Sequence, residues 1–331
     1  MRVLVTGANG FLGRKVVKKL RERGDADLKI RCLVRKGSSL NGLDDQDVEI
    51  FRGTLNEDPS IEEMLKDVDV LVHLAASMSG SPMGMFIETV VSTEKLMQAV
   101  QKSSVSRIVF CSSFSVYGAS QLPTGSEFNE NCPLEPEPYR RDPYSWCKYY
   151  QEKWVRDHAG SRELLILRPG VIYGEDKGLL SPRVGMALPG LPFFLKIGGR
   201  APVPLTHVEN CADAFALAAL TSEVGSHTFN VVDDDCPSQK QYLAIYEKAF
   251  GKIPNKIPLP YPLYLLMCWC FDQLHRISKG NFPGIFSPYK AKSMYRPFRY
   301  SNAQLKSVLG WTPVISLSEG IEAAKRFSAG H

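Results

Sequence analysis

The first half of the chain alternates short apolar runs with stretches in which apolar residues recur at helical spacing. Residues 3–5, 30–34, 48–51, 68–74, 108–111 and 164–167 read as strands, and their apolar residues come in runs rather than in alternation, the pattern of strands covered on both faces. Between them, residues 11–23, 60–66, 83–102 and 144–158 read as helices. A repeated β-α-β order with right-handed crossovers predicts an α/β fold with a doubly wound parallel sheet.

After Arg168 the pattern loosens. Pro182, Pro189, Pro192, Pro202 and Pro204 interrupt it, and helical spacing returns over 211–222 and 239–250. The expected division is a sheet-forming part, residues 1–168, and a smaller loop-rich lobe, residues 169–331, some of whose segments return to the sheet. Such a lobe covers the carboxyl edge of the strands, where open α/β sheets bind ligands. The most apolar stretch, 257–271, opens on Ile257 and closes on Phe271, with His275, Arg276 and Lys279 following. It is shorter than the ~20 apolar residues that span a bilayer. A helix there would line a hydrophobic pocket, rest on a membrane surface, or be buried in the lobe or a dimer contact, and the sequence leaves these open.

Composition narrows the picture. With 331 residues, 44% hydrophobic and 23% charged, the chain has the make-up of a globular protein with a sizeable core. It has no Gly/Ser-rich linker, no repeat and no low-complexity tract. Forty basic against thirty-five acidic residues give a net charge of +5 without a long basic run, which argues against nucleic acid as a partner. Eight scattered cysteines show no zinc-ligand spacing, so no metal is expected, and several sit inside apolar runs as reduced thiols do. Residues 3–5 already begin a strand, leaving no room for a signal peptide. The expected location is cytoplasmic, with peripheral membrane contact through 257–271 as an option.

The first strand runs into Thr6-Gly7-Ala8-Asn9-Gly10-Phe11-Leu12-Gly13 and then directly into a helix. Gly7 allows the tight turn, Gly10 lets the backbone approach a pyrophosphate, and Gly13 lets helix and strand pack closely, the dinucleotide-binding turn of a Rossmann sheet. The helix N-terminus adds free N–H groups and partial positive charge. At the end of the second strand an NAD site usually places a carboxylate for the adenosine ribose, and here stand Arg35 and Lys36. A guanidinium binds a 2′-phosphate that a carboxylate repels, so Arg35 favours NADP, with NAD the alternative.

Tyr144 and Lys148 lie one helical turn apart and face the same way. A phenol with a pKa near ~10 is a poor base at neutral pH, but an adjacent cation favours its phenolate. Tyr144 is then placed to exchange a proton with a substrate hydroxyl or carbonyl.

Taken together, the glycine motif, Val72-His73-Leu74-Ala75-Ala76, the serine segment 109–118, Tyr144-Ser145-Trp146-Cys147-Lys148 and Leu167-Arg168-Pro169-Gly170-Val171-Ile172-Tyr173-Gly174 closely resemble the extended short-chain dehydrogenase/reductase family, the superfamily of NAD-dependent epimerases and dehydratases. The resemblance covers nearly the whole chain. It implies an NAD(P)-dependent enzyme in which Ser113, Tyr144 and Lys148 are catalytic, Ser113 holding the substrate oxygen and stabilising its developing charge. It further implies that Gly7, Asn9, Gly10, Phe11, Leu12, Gly13, Leu55, Leu74, Ala75, Ala76, Pro169 and Val171 line the cofactor together with Arg35, Tyr144 and Lys148. His207-Val208-Glu209-Asn210, Ala212-Asp213-Ala214 and Leu309-Gly310-Trp311-Thr312-Pro313 match later signatures, expected to cap helices and pack the lobe. A homodimer through the helices of Met83 and Tyr144 is the family's habit.

Two departures matter. Gly53-Thr54-Leu55 carries a neutral hydroxyl where the family often has an adenine-binding Asp, and Thr89 stands where an Asn is usual, with Ser92-Thr93 after it. Sugar-nucleotide epimerases and dehydratases also commonly place an Asn at the position of Val171. Its absence, and the likeness of 197–207 to the branch acting on steroids and flavonoids, favour a hydrophobic secondary alcohol or ketone as the small-molecule substrate. The nearest branch is that of 3β-hydroxysteroid dehydrogenases and dihydroflavonol reductases. The alternatives are a sugar-nucleotide epimerase or dehydratase, to which Arg200 offers a phosphate ligand, and a non-catalytic cofactor-sensing regulator. The regulator reading is disfavoured because tyrosine and lysine are both present.

Overall fold

In the computed structural model seven parallel strands stand side by side, and every one of the six strands expected from sequence is among them. The structure describes residues 1–40, 42, 43, 48–56, 61–175, 177, 179–187, 192–222, 224–279, 281 and 286–329. The first half runs β1 (Arg2–Thr6), α1 (Phe11–Arg23), β2 (Lys29–Val34), β3 (Val48–Arg52), α2 (Ile61–Met64), β4 (Val70–His73), α3 (Pro82–Phe86), α4 (Ser92–Val100), β5 (Arg107–Cys111), β6 (Glu127–Phe128), α5 (Pro143–His158) and β7 (Glu163–Pro169). Ser60, the first residue of the helix expected over 60–66, and Pro189 lie outside the described residues. The second half adds β8 (Val171–Tyr173), β9 (Met186–Ala187), β10 (Phe194–Ile197), β11 (Leu205–His207), α6 (Val208–Leu220), β12 (His227–Val231), α7 (Gln239–Phe250), β13 (Lys256–Leu259), α8 (Tyr261–Ile277), α9 (Pro288–Tyr295), β14 (Arg299–Tyr300), α10 (Ala303–Leu309) and α11 (Leu317–Ala329).

The central order is β3-β2-β1-β4-β5-β7-β12, a Rossmann sheet extended by one strand from the second half. Successive side chains of a strand point to opposite faces. Val3 and Val5 therefore join the core under α1 and α6, while Leu4 joins the one under α4 and α5. The alanine-rich α6 is buried along most of its length, and Arg23 of α1 grips Asp213 of α6 with two bonds of 2.6 and 2.9 Å. His207 caps α6 by accepting from the Glu209 N–H, and Trp311 donates its indole N–H to the Asn210 carbonyl at 3.0 Å.

The helix expected over 83–102 is not continuous. A π-helical turn at Ile87–Val91 separates α3 from α4. Its cause is local: the hydroxyls of Ser92 and Thr93 donate to the carbonyls of Glu88 and Thr89, both at 2.6 Å, drawing bonds away from the regular ladder.

One buried ion pair ties α5 to the sheet. Glu152 accepts from Arg168 of β7 at 2.5 and 3.1 Å, from Ser112 at 2.5 Å and from Arg156 at 2.9 Å. Burial alone would raise the Glu152 pKa, but the hydrogen bonds and charge of Arg168, helped by Arg156 and Ser112, outweigh it and hold the carboxyl at about 2. A folded-state pKa below the ordinary value means stability that is present above pH 4.5 and lost as pH falls toward about 2. Glu152→Gln, which leaves Arg168 buried without its counter-charge, is expected to cost about 3–5 kcal/mol near neutral pH. Urea unfolding at stepped pH should show the gap between variant and wild type closing as pH falls through that window, and a gap independent of pH would contradict the assignment.

Candidate active site

The carboxyl ends of β1, β4, β5 and β7 converge with the N-termini of α1 and α5. Leaving β1, the chain turns at Gly7, whose φ of +69° suits glycine, and the Gly10 N–H closes the turn on the Gly7 carbonyl at 3.0 Å. A Cβ on Gly7 would lie 2.9 Å from the Ala75 nitrogen, and one on Gly13 would lie 2.1 Å from the Gly7 carbonyl oxygen. Helix α1 begins without a side-chain cap or an acidic residue in its first turn, so the N–H groups of Phe11, Leu12 and Gly13 have no acceptor within the helix. The Asn9 side chain donates to the Ser39 carbonyl at 2.6 Å while its own oxygen is buried without a partner. These features make a cradle that fits a pyrophosphate.

Leu74, Ala75 and Ala76 come to this cradle: the N–H of Leu74 donates to the Thr6 carbonyl and that of Ala75 to the Thr6 hydroxyl, at 3.2 and 3.4 Å. Pro169 ends β7 beside Val231, and the Val171 N–H is committed to the Pro204 carbonyl at 2.6 Å. Leu55 points into the core under α4 and α5, so any ligand contact there falls to its backbone. Arg35 reaches outward from the end of β2, its side chain 70% exposed and 3.6 Å from Glu88.

Ser113 follows β5, buried and accepting from the Ser115 N–H at 3.1 Å. Asp142 starts α5 by accepting from Ser145, backbone and hydroxyl, at 3.0 and 2.6 Å, which sets Tyr144 in the first turn. Burial, with Cys111 next in weight, pushes the Tyr144 phenol well above its ordinary pKa, and a hydrogen bond with Ser113 opposes this. Tyr144 and Ser113 therefore meet.

The Lys148 ammonium, expected to act beside Tyr144, makes its hydrogen bonds to other groups. Lys148 is buried and its Nζ donates to the Cys111 carbonyl at 2.5 Å and to Gln151 Oε1 at 2.6 Å, and it lies over the Phe110 ring at 4.8 Å. An ammonium out of water turns to the nearest carbonyl oxygens, and burial lowers its pKa. The sequence reading missed Gln151 and Glu152. Their signal was polar residues one turn past Lys148, on the face of the helix that should be apolar.

The stretch 257–271 splits into β13 and the longer helix α8. Tyr264 and Cys268 pack against Ile197, Ala291 and Tyr295, while Leu263, Leu266, Trp269, Leu274 and Ile277 are exposed. No helix among the described residues is long and apolar enough to cross a membrane. Beside α8 opens a cavity of about 440 Å³ lined by Arg140, Trp269, Arg276, Tyr289 and Lys292, apart from Ser113 and Tyr144. The eight cysteines are unpaired, and no cluster of metal-binding side chains occurs among the described residues.

Residues 3–231 match the model of the NAD dependent epimerase/dehydratase family. An N-acetyl-alpha-D-glucosaminyl-diphospho-ditrans,octacis-undecaprenol 4-epimerase of Escherichia coli O157:H7 is 25% identical, over 99% of this chain and 96% of that one. A decarboxylating sterol-4-alpha-carboxylate 3-dehydrogenase of Candida albicans is 28% identical, over 96% of this chain and 95% of its own. Among solved structures, MoeE5 in complex with UDP-glucuronic acid and NAD shares the fold, with a TM-score of 0.71 at 22% identity over 100% of this chain and 99% of that chain.

Proposed function

The chain belongs to the NAD dependent epimerase/dehydratase family, and from that premise we propose that this NAD(P)-dependent oxidoreductase interconverts a hydrophobic secondary alcohol and its ketone at Ser113 and Tyr144. The meeting of Tyr144 with Ser113 at the sheet's carboxyl edge, beside the glycine cradle, carries the reading. The backbone of residues 7–13, with 74–76, Leu55, Pro169 and Val171, holds the dinucleotide, which when bound supplies or accepts the hydride. Ser113 and Tyr144 hold the substrate oxygen. Because burial raises its pKa, Tyr144 stays protonated at neutral pH and donates its proton as charge develops on a carbonyl oxygen. Lys148 supplies fixed positive charge and its remaining N–H to the ligand side.

Val171 supports the substrate class: its N–H is taken by Pro204 and its side chain packs with the apolar core of the lobe, so it offers a phosphate nothing. A second reading, epimerisation of a sugar diphosphate, is favoured by the similarity to the undecaprenol-linked 4-epimerase over nearly the full chain. That relative and the sterol dehydrogenase are both named for isoprenoid lipids, which agrees with a substrate drawn from a membrane surface. The exposed face of α8 is suited to such a surface, consistent with a cytoplasmic enzyme in peripheral contact with the bilayer. Exposed Met83 and Ile87, beside the stacked Phe86 and Trp146, suit a homodimer through α3 and α5.

Arg35 supports NADP over NAD, since it stands exposed where a 2′-phosphate would be read. NADPH should protect the protein thermally at about tenfold lower concentration than NADH, a difference of roughly 1.4 kcal/mol, and Arg35→Asp should erase that preference. Equal half-points in the wild type would remove the argument.

Tyr144→Phe should cut turnover by about 10²–10⁴ while leaving dinucleotide affinity within about twofold, measured on a panel of sterol, flavonoid and long-chain ketones alongside UDP- and dTDP-sugars. Substantial activity of the variant would exclude Tyr144 as the proton donor. Turnover of the nucleotide sugars alone would establish the epimerase or dehydratase reading instead.

Light scattering should give the mass of a dimer, reduced to a monomer by Met83→Glu with Ile87→Glu. Co-sedimentation with phospholipid vesicles should be lost when Leu263, Leu266 and Trp269 are changed to Ser. No sedimentation of the wild-type chain would leave α8 without a membrane role.

A further inference from the structure

We propose that Gln151 is the positioning residue for the Lys148 ammonium, a neutral acceptor held in one orientation by a buried network that reaches back to the glycine turn. The proposal rests on the assignment of Lys148 to the active site, and its role there is distinct from that of Glu152, which serves Arg168.

Counting protons fixes the network. Thr93 donates its single hydroxyl proton to the Thr89 carbonyl at 2.6 Å, so its oxygen only accepts, from Gln151 Nε2 at 2.9 Å and His73 Nε2 at 2.8 Å. Burial, with the Lys148 charge adding to it, lowers the His73 pKa to about 3, so the ring is neutral, and the Thr93 oxygen, its proton spent, draws the one N–H to Nε2, which also lies 3.2 Å from Gln151 Nε2. Nδ1 then accepts from the Thr6 hydroxyl at 2.7 Å, and Thr6 in turn accepts from the Ala75 N–H. The second Gln151 N–H goes to the Ala75 carbonyl at 3.0 Å. With both amide protons committed, only Oε1 can face Lys148, at 2.6 Å. Flipping the amide would set an NH2 against an ammonium and a carbonyl against the Ala75 and Thr93 oxygens, a loss that the His73 Nε2–H, already given to Thr93, does not offset. Thr6, His73, Thr93, Gln151 and Lys148 are all buried, so water offers no substitute partner.

The chemistry of the acceptor matters as much as its place. The groups around Lys148 are Cys147, Gln151 and Glu152 on α5, Cys111 and the Phe110 ring on β5, and neutral His73 on β4. Glu152, the carboxylate among them, is bonded to Arg168, Arg156 and Ser112. A carboxylate at 151 would pair with the ammonium and cancel its field, whereas an amide oxygen orients it and leaves its charge intact. Two of the three ammonium protons are taken by Cys111 and Gln151, which leaves one for the ligand side.

The test needs no substrate. In full-length protein carrying ¹⁵N-lysine, the Lys148 Nζ resonance, identified by its absence in Lys148→Arg, is followed against pH, and NADPH affinity is measured by fluorescence titration. Gln151→Met removes the acceptor at similar volume and should lower the Lys148 titration midpoint by about one pH unit and weaken NADPH binding about fivefold. Thr93→Val, which frees one side of the Gln151 amide without touching Lys148, should move both in the same direction by less. A folded Gln151→Met with the wild-type midpoint and affinity overturns the proposal. Should that variant not fold, an unchanged midpoint and affinity in Thr93→Val overturn it equally. Neither readout depends on turnover, so retained activity in Tyr144→Phe would remove the proton-donor assignment and leave the Gln151 result standing.

Discussion

Glu152 and Arg168 face each other with almost no water around them, and much of the candidate site depends on that pair. The carboxylate belongs to α5 and the guanidinium to β7, so their bonds fix how the helix lies across the strand ends. Taking two ions out of water costs several kcal/mol each, and only close geometry with further hydrogen bonds offsets it. Ser112 provides one such bond, and the Tyr117 ring lies 4.4 Å from the Arg168 guanidinium carbon. Both come from the segment that follows β5 and carries Ser113. The contacts that satisfy the ion pair therefore also bring Ser113 toward Tyr144, and the energetics of the core and the geometry of the site are one arrangement.

The nucleotide end is governed by a steric constraint rather than by charge. At Gly13 the backbones of α1 and the glycine turn come so close that a side-chain carbon has no room, and Gly7 meets Ala75 almost as tightly. These approaches point the first N–H groups of α1 at the same edge that receives Tyr144. A helix starting one residue later would present those donors in another direction.

The sheet was legible because parallel strands buried on both faces are largely apolar, as residues 3–5, 70–72, 108–111 and 164–167 are, and even β2 breaks its apolar run only at Arg31. β12 was not, since His227-Thr228-Phe229-Asn230-Val231 alternates and its Asn230 is used to accept from the Tyr117 hydroxyl at 2.7 Å. The break after Phe86 escaped notice for a related reason: Ser92 and Thr93 look like tolerable helix residues until their hydroxyls compete for carbonyls. Of the candidate site, the glycine turn and the positions of Ser113, Tyr144 and Lys148 could be read as motifs. Where the lysine points could not, because that depends on Cys111, Gln151, His73 and Thr93, which come from four separate elements and meet only in three dimensions.

The direction of the Lys148 side chain bears on the protonation state of Tyr144 in the proposed reaction. Burial holds the proton on the Tyr144 phenol, which in that reaction makes it the acid rather than the base. In the proposed reaction that state serves carbonyl reduction, in which negative charge appears on the substrate oxygen and a proton must be ready beside it. Alcohol oxidation asks for the opposite, a phenolate, and so for positive charge brought close to the tyrosine oxygen. The Lys148 charge acts on the phenol through space, and Gln151 with the Cys111 carbonyl fixes where that charge stands. The same buried network that fixes the lysine thereby fixes the distance over which its charge can favour the phenolate, and in the proposed reaction the proton Tyr144 gives in one direction is the one it takes back in the other.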